Sequence, residues 1–110
     1  IKEAIGKNVL KVILETCYLS KEQIEIACRL AVNAGADFVK TSTGFGTNGA
    51  TLSDVEIMKN AVKGKAQIKA SGGIKDLQTA NKYIEMGVTR LGTSSGVLLV
   101  TRGFSDKNQY

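Results

Sequence analysis

Strand-like and helix-like stretches alternate along this chain, and that alternation leaves few folds open. Val9 to Glu15 (VLKVILE) is β-branched and mostly apolar, the pattern of a strand buried in a parallel sheet. Behind it Ser20-Lys21-Glu22-Gln23 forms a capping box. Ile24, Ala27, Cys28 and Ala31 then recur at helical spacing, and Gly35 supplies a stop. Asp37 to Lys40 reads as a second strand, followed by a Gly/Thr-rich loop. Ser53-Asp54-Val55-Glu56 is a second capping box, opening a helix that carries Val55, Met58, Ala61 and Val62. Ala66 to Lys69 is a third strand, passing through Gly72-Gly73 to a helix from about Lys75 to Met86 that Gly87 stops. Val88 to Gly92 is a fourth, ending in Thr93-Ser94-Ser95-Gly96 and a short apolar helix, Val97 to Val100. Four βα units, weakly similar at a spacing of roughly 20–30 residues, predict a parallel sheet with its helices outside. Ile1 to Asn8 reads as the last turns of a helix. Residues 103–110 are polar and expected to form a mobile tail, which leaves 1–102 for the βα units.

Composition narrows the chemistry. At 110 residues there is room for one domain or part of one. With 43% hydrophobic and 23% charged residues, the chain is expected to be a soluble globular protein. No apolar run approaches the roughly 18 residues that cross a bilayer, and no charged-then-apolar leader is evident. A cytoplasmic protein with no membrane partner is therefore expected. The net charge of +5 is spread over scattered lysines and aromatics are only 5%, so no nucleic-acid surface is suggested. A mild positive field suits an anionic metabolite. Histidine is absent, which removes His triads, His general bases and His-ligated zinc. Cys17 and Cys28 show no CxxC spacing and read as reduced thiols, Cys28 on the core side of its helix.

Two of the strand patterns end in lysine and run into small-residue turns: Lys40 before Thr41-Ser42-Thr43-Gly44, and Lys69 before Ala70-Ser71-Gly72-Gly73. A buried ammonium is costly and tends to neutralise, which makes such a lysine a natural Schiff-base nucleophile. Neighbouring strands lie about 4.8 Å apart, so the two amines could approach to roughly 5–6 Å. At an effective dielectric near 20 they would repel by about 3 kcal/mol, enough to lower one pKa by about two units. The plainer alternative is that both lysines reach outward from the sheet and do nothing. The Gly72-Gly73 and Gly92-Thr93-Ser94-Ser95 turns are each expected to open a helix, and bare amides with hydroxyls there form an anion site. In eight-stranded barrels a phosphate commonly sits at the loops after the last two strands, beside a short extra helix.

The runs LKVILET (10–16), ADFVKTSTGF (36–45), IKASGGI (68–74) and RLGTSSG (90–96) closely resemble deoxyribose-phosphate aldolase, a class I aldolase with a (β/α)8 barrel. The resemblance extends to about Val100. It implies that Lys40 forms the Schiff base, and that Lys69 lowers its pKa and serves proton transfer. It further implies that Gly44, Gly72, Gly73, Gly92, Ser94 and Ser95 hold the substrate phosphate, with Lys11 and Thr43 lining the pocket. The implied reaction is reversible cleavage of 2-deoxyribose 5-phosphate to glyceraldehyde 3-phosphate and acetaldehyde, with no cofactor and no metal. Some members end in a tyrosine that reaches the site; Tyr110 lacks the tail sequence expected before it.

The match covers only the last four of the family's eight strands. The half carrying the aspartate that partners the second lysine is not matched. Asp37 begins its strand, at the wrong end, while Asp54, Asp76 and Asp106 fall in helix starts or the tail. Glu15 ends the first strand and reads either as a substitute acid or as structural. The fold class expected is thus a (β/α)4 half of a TIM barrel. It would bare two strand edges and the apolar lining of a barrel, and would close either as a homodimer about a two-fold axis or with a complementary N-terminal half-barrel. The competing function is a non-catalytic half-barrel, an assembly or folding unit that retains a phosphate site.

Overall fold

Apolar side chains on one face of each strand meet the apolar stripe of the helices, and that contact positions everything else. The structure is a computed structural model that describes residues 1–102; the expected tail, 103–110, with Asp106 and Tyr110, lies outside the described residues. The order is α1 (Lys2–Ile5), β1 (Lys11–Ile13), a 3₁₀ turn (Thr16–Tyr18), α2 (Lys21–Asn33), β2 (Phe38–Lys40), α3 (Leu52–Val62), β3 (Gln67–Ser71), α4 (Leu77–Glu85), β4 (Arg90–Gly92) and α5 (Gly96–Arg102). The four strands pair in sequence order, all parallel.

Register sorts the strand residues into two faces, because successive side chains in a strand point oppositely. Val12, Val39 and Ile68 share one row, and Ala70 and Leu91 another, on the same face. They join the core with Ile24, Cys28 and Ala31 of α2, Val55, Met58 and Val62 of α3, and Ala80 and Tyr83 of α4. Ile24, Cys28, Val39, Val55, Met58 and Ile74 are fully enclosed. Cys28 therefore sits in the core as expected, and burial pushes its thiol up to about 11.

The caps show where each helix begins. The Ser20 capping box forms as read: Gln23 N donates to Ser20 Oγ (3.2 Å) and Ser20 N to Gln23 Oε1 (2.8 Å). The second box does not form at Ser53. Thr51 is the N-cap of α3, its Oγ1 accepting from Asp54 N at 3.1 Å, and Ser53 lies inside the first turn. Thr51 is extended and offers its hydroxyl three residues ahead, so the earlier of two equivalent signals captures the helix start. The strands differ at their ends too. The first shortens to Lys11–Ile13 and the fourth starts at Arg90, while the third runs on to Ser71. The extension follows from Ser71 pairing with Gly92 and its N–H meeting Thr41 Oγ1 at 3.1 Å.

The face without helices corrects the apolar lining expected for it. It carries Lys11, Ile13, Phe38, Lys40, Gln67, Lys69, Ser71, Arg90 and Gly92. Among its large apolar residues only Ile13 is exposed; the Phe38 ring is covered by Lys11 Nζ at 5.7 Å and Arg90 Cζ at 4.3 Å from its centre. β1 and β4 are the outer strands of the sheet. No helix among the described residues is long and apolar enough to cross a membrane.

Asp37 fastens the opposite end of the sheet from the strand-end lysines. Its Oδ2 accepts from Lys2 Nζ (2.6 Å) and Leu10 N (2.8 Å), tying α1 and β1 to the start of β2. The Leu10 N–H bond, then the bond to Lys2, holds its pKa below the usual 3.8. A lowered carboxyl stabilises the fold above its unfolded pKa, and that contribution is lost as pH falls through the folded value. The melting temperature is therefore expected to decline below about pH 5 more steeply in the parent than in Asp37→Asn, in thermal melts followed by circular dichroism. Parallel declines would remove Asp37 from the acid response.

Candidate active site

The cross-strand row Ile13–Lys40–Lys69–Arg90 carries the charge of the open face. Ile13 pairs with Lys40, Lys40 with Lys69, and Lys69 with Arg90, so three cations follow one another on neighbouring strands and project to one side. Lys11 lies one row nearer the strand starts, level with Phe38 and Gln67. Lys69 responds to this crowding. Partial withdrawal from water lowers its pKa first, followed by the like charges of Lys11, Lys40 and Arg90. Charge repulsion between the two lysines is expected to lower one pKa, and the family resemblance implies that Lys69 lowers Lys40; here the lowering falls on Lys69, with Lys11 and Arg90 contributing beside Lys40. Gly92 permits the crowding. A Cβ there would lie 2.6 Å from Ser71 Cβ and 3.3 Å from Lys69 Cε, so only glycine lets β4 approach the Lys69 stem this closely.

Hydroxyls lock the strand ends above the lysines. Thr41 and Ser42 are fully buried, and Ser71 nearly so. Thr41 Oγ1 accepts from Ser71 N (3.1 Å) and from Ser42 Oγ (3.0 Å), while Ser71 Oγ donates to Ser42 O (2.9 Å). This network fixes the end of β2 to the end of β3, immediately beyond Lys40. Across the sheet Thr93 Oγ1 donates to Ile74 O (2.7 Å) and accepts from Ser95 N (3.0 Å), fixing the loop after β4 to the loop after β3.

The other expected site residues take varied positions. Gly44 and Gly73 line one cleft of about 220 Å³, together with Gly46, Thr47, Asn48, Gly49 and Lys75. Gly72 follows Ser71 directly, beside Gly49 and with its N–H donating to Gly92 O at 3.3 Å. Ser94 and Ser95 precede α5 as expected, and Ser95 Oγ is buried with no hydrogen-bond partner. Gly72-Gly73 does not open a helix, contrary to expectation. α4 begins at Leu77, and its N-terminus is already occupied by the Asp76 carboxylate, which accepts from Thr79 N (2.7 Å) and Thr79 Oγ1 (3.0 Å). An anion at that turn would meet loop amides without the helix end. Thr43 is exposed and donates through both N and Oγ1 to Glu15. No group of three or more His, Cys, Asp or Glu among the described residues could hold a metal ion.

Sequence reasoning passed over Arg90, Thr41, Ser42 and Ser71. All four stood in quoted motif runs. The available signal was alternation: Arg90 and Gly92 share a face, as do Lys69 and Ser71.

Four parallel strands with helices on one face and amines on the other define half of a (β/α)8 barrel. The chain belongs to the DeoC/LacD family aldolases, whose profile matches residues 1–99. Over 103 residues it is 61% identical to the deoxyribose-phosphate aldolase of Carboxydothermus hydrogenoformans, covering 91% of this chain and 45% of that protein. It is 54% identical to the deoxyribose-phosphate aldolase of Deinococcus radiodurans, covering 94% and 47%. Among solved structures it resembles the aldolase QR15, with a TM-score of 0.81 and 50% identity over 87% of this chain and 43% of that one. It also resembles the tetrameric deoxyribose phosphate aldolase of Aeropyrum pernix, with a TM-score of 0.75 and 35% identity over 86% and 41%. The chain thus spans somewhat under half the length of these relatives.

Replacing Arg90 removes one of the charges that lower Lys69. In Arg90→Met the Lys69 pKa is expected to rise toward 10.5, read by NMR titration of the ε-CH2 resonances. An unmoved titration would discount the cross-strand charge.

Proposed function

We propose that this chain supplies the lysine half of a deoxyribose-phosphate aldolase. In this reading Lys40 is the Schiff-base nucleophile and Lys69 its proton partner. The observation that carries it is the Lys40–Lys69 register, which sets the two amines side by side on the open face with the Lys69 pKa lowered. A nucleophilic amine must be uncharged. Lys69, its pKa lowered, is the amine of the row that burial and like charge push toward the uncharged form, which lets it take up or give a proton beside Lys40.

The chemistry follows. Neutral Lys40 adds to the C1 aldehyde of 2-deoxyribose 5-phosphate, and loss of water leaves an iminium. The iminium draws the electron pair of the C2–C3 bond as the C3 hydroxyl gives up its proton. Glyceraldehyde 3-phosphate departs, and the remaining enamine is protonated at C2 and hydrolysed to acetaldehyde and free Lys40. Lys69 is placed to carry protons in these steps. The phosphate is assigned to the amides and hydroxyls of Gly44, Gly72, Gly73, Gly92, Ser94 and Ser95, with Lys11 and Thr43 lining the pocket. The cleft shared by Gly44 and Gly73 and the unpartnered Ser95 hydroxyl support that assignment. Residues 1–102 are assigned to the half-barrel. A cytoplasmic setting suits two unpaired cysteines.

A second copy or a complementary half could close the barrel, and the charge of the open face bears on the choice. Two copies would enclose eight cations, Lys11, Lys40, Lys69 and Arg90 from each, against two Glu15 carboxylates. At separations near 9 Å each like pair costs roughly 2 kcal/mol at an effective dielectric of 20. A complementary half bearing carboxylates is therefore proposed over a homodimer. The second reading, a non-catalytic half-barrel, draws on the open face itself: its strand residues include no acid, and Glu15, just beyond β1, has both oxygens accepting from Thr43.

Acetaldehyde with borohydride is expected to convert Lys40 to a secondary amine, detected by peptide mass spectrometry. The adduct should be lost in Lys40→Ala and kept in Lys82→Ala. Phosphate binding without any adduct would decide for the non-catalytic reading. The chain by itself is expected to sediment near 11.7 kDa at neutral pH and low salt. A mass of twice that value would restore the homodimer.

A further inference from the structure

Glu15 has a backbone conformation that side chains disfavour, at the N-cap of the 3₁₀ turn Thr16–Tyr18, where a capping residue is ordinarily extended. Two non-glycine residues among those described have positive φ: Lys63 at 51° and Glu15 at 55°. Lys63 caps the C-terminus of α3, where the left-handed conformation is ordinary. Glu15 instead follows β1. Leu14 N donates to Lys40 O and Thr16 N to Thr41 O, both at 2.9 Å. In an unbroken parallel ladder, amides two residues apart reach carbonyls two residues apart. Here they reach adjacent carbonyls, so Glu15 is an inserted residue, a bulge of the kind that re-aims a side chain.

The re-aimed carboxylate is the centre of the loop after β2. Thr43 N donates to Glu15 Oε1 at 3.1 Å, and Thr43 Oγ1 donates to Glu15 Oε2. The same Thr43 hydroxyl accepts from Phe45 N at 3.1 Å. Gly46 completes the wrap: a Cβ there would lie 3.1 Å from Glu15 Oε1 and 2.9 Å from Cys17 Sγ, so a side chain would have to displace one of them. Both oxygens thus accept from the loop, which favours the structural reading of Glu15 over that of a substitute acid.

We propose that Glu15 is a positioning residue, fixing the Thr43–Gly46 loop and through it the strand end from which Lys40 projects. The Thr41–Ser71 network holds that strand end against β3, and Glu15 holds it against β1. Backbone strain maintained at such a point is a recurrent mark of a functional constraint. The proposal rests on the reading of Lys40 as the imine-forming amine.

Glu15→Gly separates the role from a merely structural one, because glycine accepts the left-handed backbone without strain while removing the carboxylate. In this variant the rate of borohydride-trapped acetaldehyde adduct at Lys40 is expected to fall about tenfold, the scale of a small misplacement of a reacting group. Exchange of the Thr43 and Phe45 amides is expected to quicken by a similar factor, roughly tenfold, with the urea midpoint unchanged or raised. Glu15→Gln, which keeps one acceptor oxygen, should fall between. A Glu15→Gly chain that keeps the parental adduct rate and slow exchange would overturn the proposal, as would a loss of adduct in step with global unfolding. If the parent forms no adduct, the aldolase reading fails by itself, and the exchange comparison still decides whether Glu15 holds the loop.

Discussion

Cross-strand pairing of β2 with β3 is the constraint from which the rest of the arrangement follows. One register places Lys40 opposite Lys69 and Val39 opposite Ile68. The first pair charges the open face and the second anchors the core. A slip of a single residue would exchange the faces, sending the amines under the helices and the apolar pair into water. Burial of Val39 and Ile68 in the core thereby determines where the ammonium groups point. The hydroxyl network of Thr41, Ser42 and Ser71 reinforces this choice at the strand ends: the Thr41 and Ser71 hydroxyls bond across to the neighbouring segment, and Ser42 Oγ donates to Thr41 Oγ1.

The open face sets apolar packing and charge in opposition. Phe38 belongs to the same face as the cations, and its ring escapes water because Lys11 and Arg90 lie across it. Covering the aromatic in this way concentrates positive charge in the rows beside it, which is part of what lowers Lys69. The half-barrel thus keeps an uncovered sheet face without a large greasy surface, and does so with a strong local field. That field is the property a partner or an anionic ligand must answer.

Element order was legible because helical and strand periodicities differ so clearly: the stripe Ile24, Ala27, Cys28, Ala31 cannot be a strand. The Ser20 box was legible for the same local reason. Boundaries were less so. Thr51 and Ser53 carry equivalent capping signals, and only the path of the chain into α3 selects the first. The character of the open face was hidden because alternation says which residues share a face but not what covers Phe38; that needs the neighbours Lys11 and Arg90, which lie 27 and 52 positions away in sequence. The motif runs announced the lysines, but the lowering of Lys69 depends on four strands assembled together. Glu15 was the least legible, since nothing about a glutamate signals a left-handed backbone, and its conformation arises from the mismatch between β1 and β2.

The two cysteines have opposite fates, and the contrast gives the molecule a built-in reporter. Cys28, enclosed and holding its proton up to about 11, is chemically silent at neutral pH. Cys17 is partly accessible and lies against Gly46. A thiol-directed fluorophore would therefore attach at one place, beneath the tip of the β2 segment, and its emission would follow the movement of that segment while leaving the lysine row unlabelled.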